Sequence, residues 1–210
     1  MNTKFSLHIP PKMWSDFQKS MLESRMFNEE VIGFIFCQRH QVSKRNVRYI
    51  PKTWVVPTSE CYEHQSTDGL VLTQRFHSYL LENHLFPGLD IVHIHTHAGV
   101  GIPEFSYIDN RYESEYAKFI ASHFPEKPRL ISGVFDEGLD NCKFRIWDRK
   151  GREFQQIDAP RQIAEMPILS LRCVDCLQGK GLRLVFCSVL HEIHTVFQRC
   201  VDLAPETLTG

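Results

Sequence analysis

His93-Ile-His-Thr-His-Ala-Gly-Val-Gly-Ile-Pro-Glu-Phe-Ser-Tyr-Ile-Asp109 is the stretch on which the reading of this chain turns. It grows out of an apolar run, Leu89-Asp-Ile-Val-His-Ile-His95, and closes on a Ser-x-x-Asp that opens a helical pattern. Residues two apart on a strand point to the same face, about 6.6 Å apart along the axis. His93 and His95 can therefore lean onto one ion, and so can His95 and His97. A third ligand has to come from another element, and Asp109 is the nearest candidate. Two His and one Asp leave a fourth position for water, the mark of a catalytic rather than a structural zinc site.

The loop from Ala98 to Phe105 holds Gly99, Gly101 and Pro103, which allow a sharp return of the backbone. Ser106-Tyr-Ile-Asp109 then reads as a helix N-terminus, with Ser106 as the cap and an acid three residues on. Ile108, Tyr112, Tyr116, Phe119 and Ile120 fall on one face of the helix that follows. Each piece has an ordinary meaning when it stands alone. A Ser-x-x-Asp before an apolar helix is first a cap, and a His on a strand is more often a packed or solvated side chain than a ligand. Their conjunction at strand-loop-helix spacing points to a metal.

The pattern resembles the JAMM, or MPN-plus, zinc metalloproteases, in particular prokaryotic JAB-domain proteins. The resemblance rests on Glu30-Val-Ile-Gly33, His95-Thr-His97 and Ser106-Tyr-Ile-Asp109 in that order, and it covers about residues 4–150. Two departures stand out. Ala98 occupies the position where the family usually has proline, and the loop to Ser106 is one residue longer than usual. Pairing His93 with His95 would make that loop three residues longer, so the resemblance favours His95 and His97, with His93 one step behind on the same face.

The resemblance implies an α/β sandwich of the MPN/JAB, or cytidine-deaminase-like, kind, with a mixed sheet flanked by helices. It implies Zn2+ held by His95, His97 and Asp109. Glu30 would be the general base and proton shuttle, and Ser106 would donate a hydrogen bond to the developing oxyanion. Such relatives cleave after the C-terminus of a ubiquitin-like modifier, by deconjugation or precursor trimming, and some bacterial ones belong to anti-phage systems. The expected partners are thus a ubiquitin-like protein, its conjugates and other proteins of that system. Two other readings stay beside this one: a catalytically inactive MPN scaffold, and a zinc peptidase acting on a small substrate unrelated to ubiquitin. Taken without its downstream partners, Glu30 is simply the solvated end of a strand.

The rest of the chain fits one domain with an extension. A hydrophobic fraction of 42% and a charged fraction of 23% are ordinary globular values. A net charge of −1 gives a nucleic-acid partner no electrostatic support, which also counts against a DNA-associated JAB relative. No run approaches the ~20 apolar residues of a membrane span. Seven scattered cysteines and no apolar leader suggest a cytoplasmic protein with reduced thiols.

A first strand is expected over residues 5–9, and Pro10-Pro11 opens a helix with Trp14, Phe17 and Met21 inside. Residues 31–37 form a buried strand. Residues 47–50 and 54–56 form one or two strands around Pro51. Thr67-Asp-Gly69 precedes a helix with Leu72, Phe76, Tyr79 and Leu80 inward. After the metal helix come strands over residues 130–135 and 142–147, the second with Cys142, Phe144 and Ile146 inward and Lys143, Arg145 and Trp147 outward. Residues 152–157 add an edge. Strands and helices interleave without strict alternation, which argues for a mixed sheet. Asp158-Ala-Pro160 marks a boundary, giving a metalloprotease domain over residues 1–158 and an extension over 159–210. In that extension, Cys173 and Cys176 could form half of a second zinc site with Cys187, His191, His194 or Cys200; packing thiols are the plainer reading. A helical stripe of Phe186, Leu190, Ile193 and Phe197 suits core or interface.

Overall fold

The computed structural model of the chain describes residues 3–25, 29–67, 69–85 and 88–162. The elements run β1 (Lys4–Ile9), α1 (Pro11–Ser24), β2 (Ile32–Ser43), β3 (Asn46–Val55), β4 (Tyr62–Gln65), β5 (Leu70–Leu72), α2 (Gln74–Leu80), β6 (Asp90–Thr96), α3 (Tyr107–His123), β7 (Leu130–Phe135), β8 (Cys142–Trp147), β9 (Phe154–Ile157) and β10 (Arg161–Gln162). Eight strands form one sheet in the order β10-β1-β3-β2-β6-β7-β8-β9, and β4 pairs with β5 in a separate ribbon. The sheet is mixed: β6 runs parallel to β7, whereas β2 is antiparallel to both β3 and β6. A few residues after β9, the chain enters β10, which pairs with β1 at the other end of the order, so the sheet curls round on itself. The class is α/β, as expected.

Both faces of the sheet are covered, which is why its central strands read as unbroken apolar runs. On β2, Ile32, Phe34 and Phe36 face one way and pack with α2 and α3. Ile35 and Cys37 face the other way, against α1, where Trp14, Phe17 and Met21 are buried. Gly33 lies on the α1 side. A Cβ there would stand 2.6 Å and 2.7 Å from two atoms of the Phe17 ring, so the glycine lets helix and sheet close. On β6, Val92 and Ile94 join the α1 core, whereas Ile91 joins the α3 core and shares its face with His93 and His95. The unit β6–α3–β7 is a parallel crossover, and such connections lay their helix against the sheet. That crossover brings α3 over the histidines.

Several details differ from the sequence reading. Residues 46–55 are one strand, and Pro51 does not break it. The register slips there, with Phe36 opposite Thr53 and Cys37 opposite Pro51, so a bulge accommodates the residue without an N–H. The helix expected after Thr67-Asp-Gly69 begins later. Leu72 lies in β5, and Thr73 is the true cap, its side chain accepting from the Phe76 N–H. Ile108 is exposed rather than inward, and the buried face of α3 begins only at Glu113. On β8 the polar side of the alternation is also buried: Arg145 is 1% exposed and Trp147 3%. The helix α3 covers that face, and a carboxylate there pairs with the arginine. β10 carries sheet pairing past Asp158. The cysteine and helical-stripe expectations for the extension fall outside the described residues. Among those residues, no helix is long and apolar enough to cross a membrane.

Candidate metal centre

The site forms where β6 ends and α3 begins. His95 lies near the C-terminal end of β6, His97 just past it, and Asp109 in the first turn of α3. The Nε2 atoms of His95 and His97 are 3.1 Å apart. Asp109 Oδ1 lies 3.2 Å from His95 Nε2, and Oδ2 lies 3.3 Å from His97 Nε2. Three donors bound at about 2.0–2.1 Å to a tetrahedral ion stand about 3.3–3.4 Å from one another. The two nitrogens stand at about that separation, each against its own oxygen of the Asp109 carboxylate, so the three groups converge on one small volume.

Hydrogen bonding cannot satisfy all three sides of this triangle at once in neutral rings. Each Nε2 carries at most one proton. If both donate to Asp109, the two nitrogens are left 3.1 Å apart with no hydrogen bond between them. If one donates to the other, one contact to the carboxylate is left between lone pairs. A cation at the centre resolves the conflict for all three atoms, so the donor set fits a divalent metal. The groups His95, His97, Asp109 and His93, His95, Glu113 each bring three ligand atoms within 4.8 Å of one another.

The backbone prepares Asp109 for this task. Ser106 caps α3, its Oγ accepting from the Asp109 N–H at 3.1 Å, while the Ser106 N–H donates to Asp109 Oδ2 at 2.6 Å. This reciprocal capping box fixes the carboxylate plane, so that one oxygen faces each imidazole. The start of the loop is anchored as well. The His97 N–H donates to Phe135 O at 2.9 Å, and the Glu137 N–H to Gly99 O at 3.0 Å.

Electrostatics follow from this packing in the metal-free protein. Burial works against the His95 cation, yet Asp109, with Glu113 and Glu30 behind it, outweighs burial and raises the pKa. Burial also works against the Asp109 anion, and the contacts from His95, His97 and Ser106 overcome it and hold the carboxyl far below the usual range. His93 is pushed down to about 3 by burial, reinforced by His95. It is a neutral ring stacked between Phe34 and His95, at centroid distances of 5.7 Å and 5.4 Å.

Glu30 precedes β2. The antiparallel register sets Ile32 opposite His95. Continued by two residues, it brings Glu30 across from His97, on the histidine face. Val31 and Thr96 hold that end together: the Val31 N–H donates to Thr96 Oγ1 and the Thr96 N–H to Val31 O, both at 3.0 Å. The Glu30 backbone is tied to the β4–β5 ribbon by its own N–H to Ser66 O at 2.8 Å and by Gln65 Nε2 to its carbonyl at 2.9 Å. The His97 side is open: His97 is 24% exposed at its side chain, His95 5%. Val100, Ile102 and Tyr107 stand in solvent around that opening, at 94%, 72% and 77% exposure.

Behind the triangle lies a buried network that the sequence reading missed. Glu113 is fully buried, and its Oε2 accepts from Arg145 Nε and from Trp147 Nε1, each at 2.8 Å. Arg145 also donates to Asn110 Oδ1 and lies 3.7 Å over the Phe105 ring. Burial pushes the Glu113 carboxyl above its usual range, against the pull of Arg145. One signal was present: Asp109 and Glu113 are four residues apart, which puts both on one face of α3.

No family model matches the chain, and no curated protein matches it. Among solved structures, the chain is similar to the solution structure of protein DSY2949 from Desulfitobacterium hafniense, at 12% identity, 77% of this chain, 95% of that one and a TM-score of 0.49.

Proposed function

We propose that this chain has the MPN/JAB fold and is a zinc-dependent isopeptidase or peptidase that cleaves after the C-terminus of a ubiquitin-like modifier. The observation that carries the reading is the triangle of His95 Nε2, His97 Nε2 and Asp109, with its open side toward solvent and Glu30 beside it. His95, His97 and Asp109 would hold the ion. A divalent zinc held there would supply a Lewis acid that acidifies water for attack.

The remaining work falls to side chains. Glu30 takes a proton from the attacking water and returns it to the departing amine, a transfer that needs a carboxylate near the metal but not bound to it. The Ser106 hydroxyl accepts from the Asp109 N–H and still has its own proton to donate to a developing oxyanion. The substrate's glycine-ended tail is narrow and extended. The β4–β5 ribbon lies beside Glu30 and offers it an edge for strand addition, and the exposed apolar side chains of the loop offer contact to the modifier's body.

The test uses metal-stripped protein reloaded with zinc and a linear fusion of a ubiquitin-like protein to a reporter. Cleavage directly after the terminal glycine, dependent on zinc, is expected. Glu30→Gln should keep stoichiometric zinc and lose turnover, whereas His97→Ala should lose the metal. Undiminished cleavage by the Glu30 variant would refute its role as base. Modifier binding without cleavage would favour the scaffold reading, and hydrolysis of short peptides alone would favour the small-substrate peptidase.

A further inference from the structure

Beneath the candidate metal centre His93 Nδ1, His95 Nδ1 and Glu113 Oε1 are buried without a hydrogen bond of normal length; ring nitrogens of the two histidines and a Glu113 oxygen lie within 4.8 Å of one another, and the buried Ser132 hydroxyl also stands by Glu113. His93 Nδ1 and Glu113 Oε1 are 4.0 Å apart, beyond a direct hydrogen bond. Stacking explains why the two rings lie face to face, but it does not explain three such atoms in one buried spot, since leaving a buried polar atom unpaired is costly. A second cation is an unsuitable occupant. The guanidinium of Arg145 already sits on the other oxygen of Glu113, its Nη2 2.7 Å away, and would repel one. A single water with hydrogen bonds to two to four polar groups suits the spacing.

Resting on the metal reading above, we propose that Glu113 is the positioning carboxylate of the centre: through one bridging water it receives the Nδ1–H of His95 and so commits Nε2 of that ring to the metal. Metal-bound histidines almost always donate their other N–H to a carboxylate, a carbonyl or water. Among the described residues, Glu113 is the carboxylate buried on that side of His95. Its Oε2 is clamped by Arg145 and Trp147, which leaves Oε1 with a fixed direction toward the histidines. Arg145 neutralises the charge and, by stacking on Phe105 and bonding Asn110, also holds the loop end and the first turn of α3 that carry Ser106 and Asp109. Glu113 would thus orient one ligand while its partner Arg145 sets the position of another.

Glu113→Gln separates positioning from packing. The amide oxygen can still accept from Arg145 and Trp147, but the amide NH2 then faces a spot that needs an acceptor. The measurements are zinc affinity by chelator competition, the visible spectrum of the cobalt form, and melting of the metal-free protein by circular dichroism. We expect zinc affinity, measured where the variant is fully folded, to fall by about 10- to 100-fold, with an unchanged cobalt spectrum and a metal-free melting temperature lowered because the buried Arg145 loses its counter-charge. Should the Gln variant not fold, Glu113→Asp keeps the charge beside Arg145 and withdraws the oxygen from the histidines, and the same affinity loss is expected. Affinity within twofold of wild type would overturn the proposal and leave the metal reading intact. A changed cobalt spectrum would make Glu113 a direct ligand and overturn it as well. Loss of affinity only in proportion to lost fold, in both variants, would reduce Glu113 to a structural residue. Failure of the wild-type protein to bind zinc would overturn the metal reading and this one together.

Discussion

Replacing Arg145 by Met asks how much of the fold around the centre depends on one buried ion pair. Arg145 is 1% exposed and Glu113 fully buried, with Nε 2.8 Å and Nη2 2.7 Å from the same carboxylate oxygen. Met has nearly the right volume and can keep some contact with Phe105 and Trp147, so the loss is mainly electrostatic. Removing one partner of a buried pair costs about 3–5 kcal/mol, because the other charge is left in a dry environment. Glu113 can escape part of that cost by taking up a proton. Its pKa already stands above the ordinary carboxylate value through burial, held in check by Arg145. Without the guanidinium it rises further.

A folded carboxyl with a raised pKa retains a proton that the unfolded chain releases. The variant therefore loses stability as pH rises from the unfolded value through the folded one. Urea unfolding of the metal-free protein, followed by circular dichroism, should show a deficit of about 3–5 kcal/mol at pH 8.5 and a smaller one at pH 5. Adding Glu113→Gln to Arg145→Met should recover more than half of the deficit at high pH, since the stranded charge is gone. A penalty below about 1 kcal/mol, a penalty indifferent to pH, or a double variant no better than the single one would refute this account of the pair.

Gly33→Ala should destabilise by about 1–3 kcal/mol, because its Cβ would meet the Phe17 ring at 2.6 Å; Phe17→Leu in the same chain should relieve part of it, and melting of both variants checks this. For Asp109 the folded carboxyl pKa is depressed, so its stabilising contact with His95 is present above the unfolded carboxylate pKa and lost as pH falls through the folded value. The His95 pKa is raised, so the same contact weakens as pH rises through that value. In metal-free protein, Asp109→Asn should therefore cost more at pH 5.5 than at pH 8.5, and equal costs would contradict the pairing. Ser106→Ala should lower turnover by about 10²-fold and stability by about 1 kcal/mol; a stability loss without a rate loss would leave Ser106 a cap only.

Local chemistry made much of this molecule legible from the chain alone. Strand parity on β6 put His93 and His95 on one face, and Ser106 with Asp109 announced the first turn of α3, because these are properties of periods two and 3.6 and of capping hydrogen bonds. The runs from 31 to 37 and from 130 to 135 read as buried strands, since residues there are apolar on both sides. Spacing alone left two histidine pairs open. Folding makes His97 the near neighbour of His95 and Asp109, at 3.1 Å and 3.3 Å, and leaves His93 behind with Glu113. Pro51 inside a strand, Thr73 as the cap of α2, and Arg145 as a buried cation were not readable. Each depends on a partner far away in sequence: the bulged register with β2, the ribbon that displaces the start of the helix, and a carboxylate 32 positions upstream. A polar residue on a strand reads as solvated until the element lying over it is known. Here that element is α3, which the crossover from β6 to β7 lays across the histidine face.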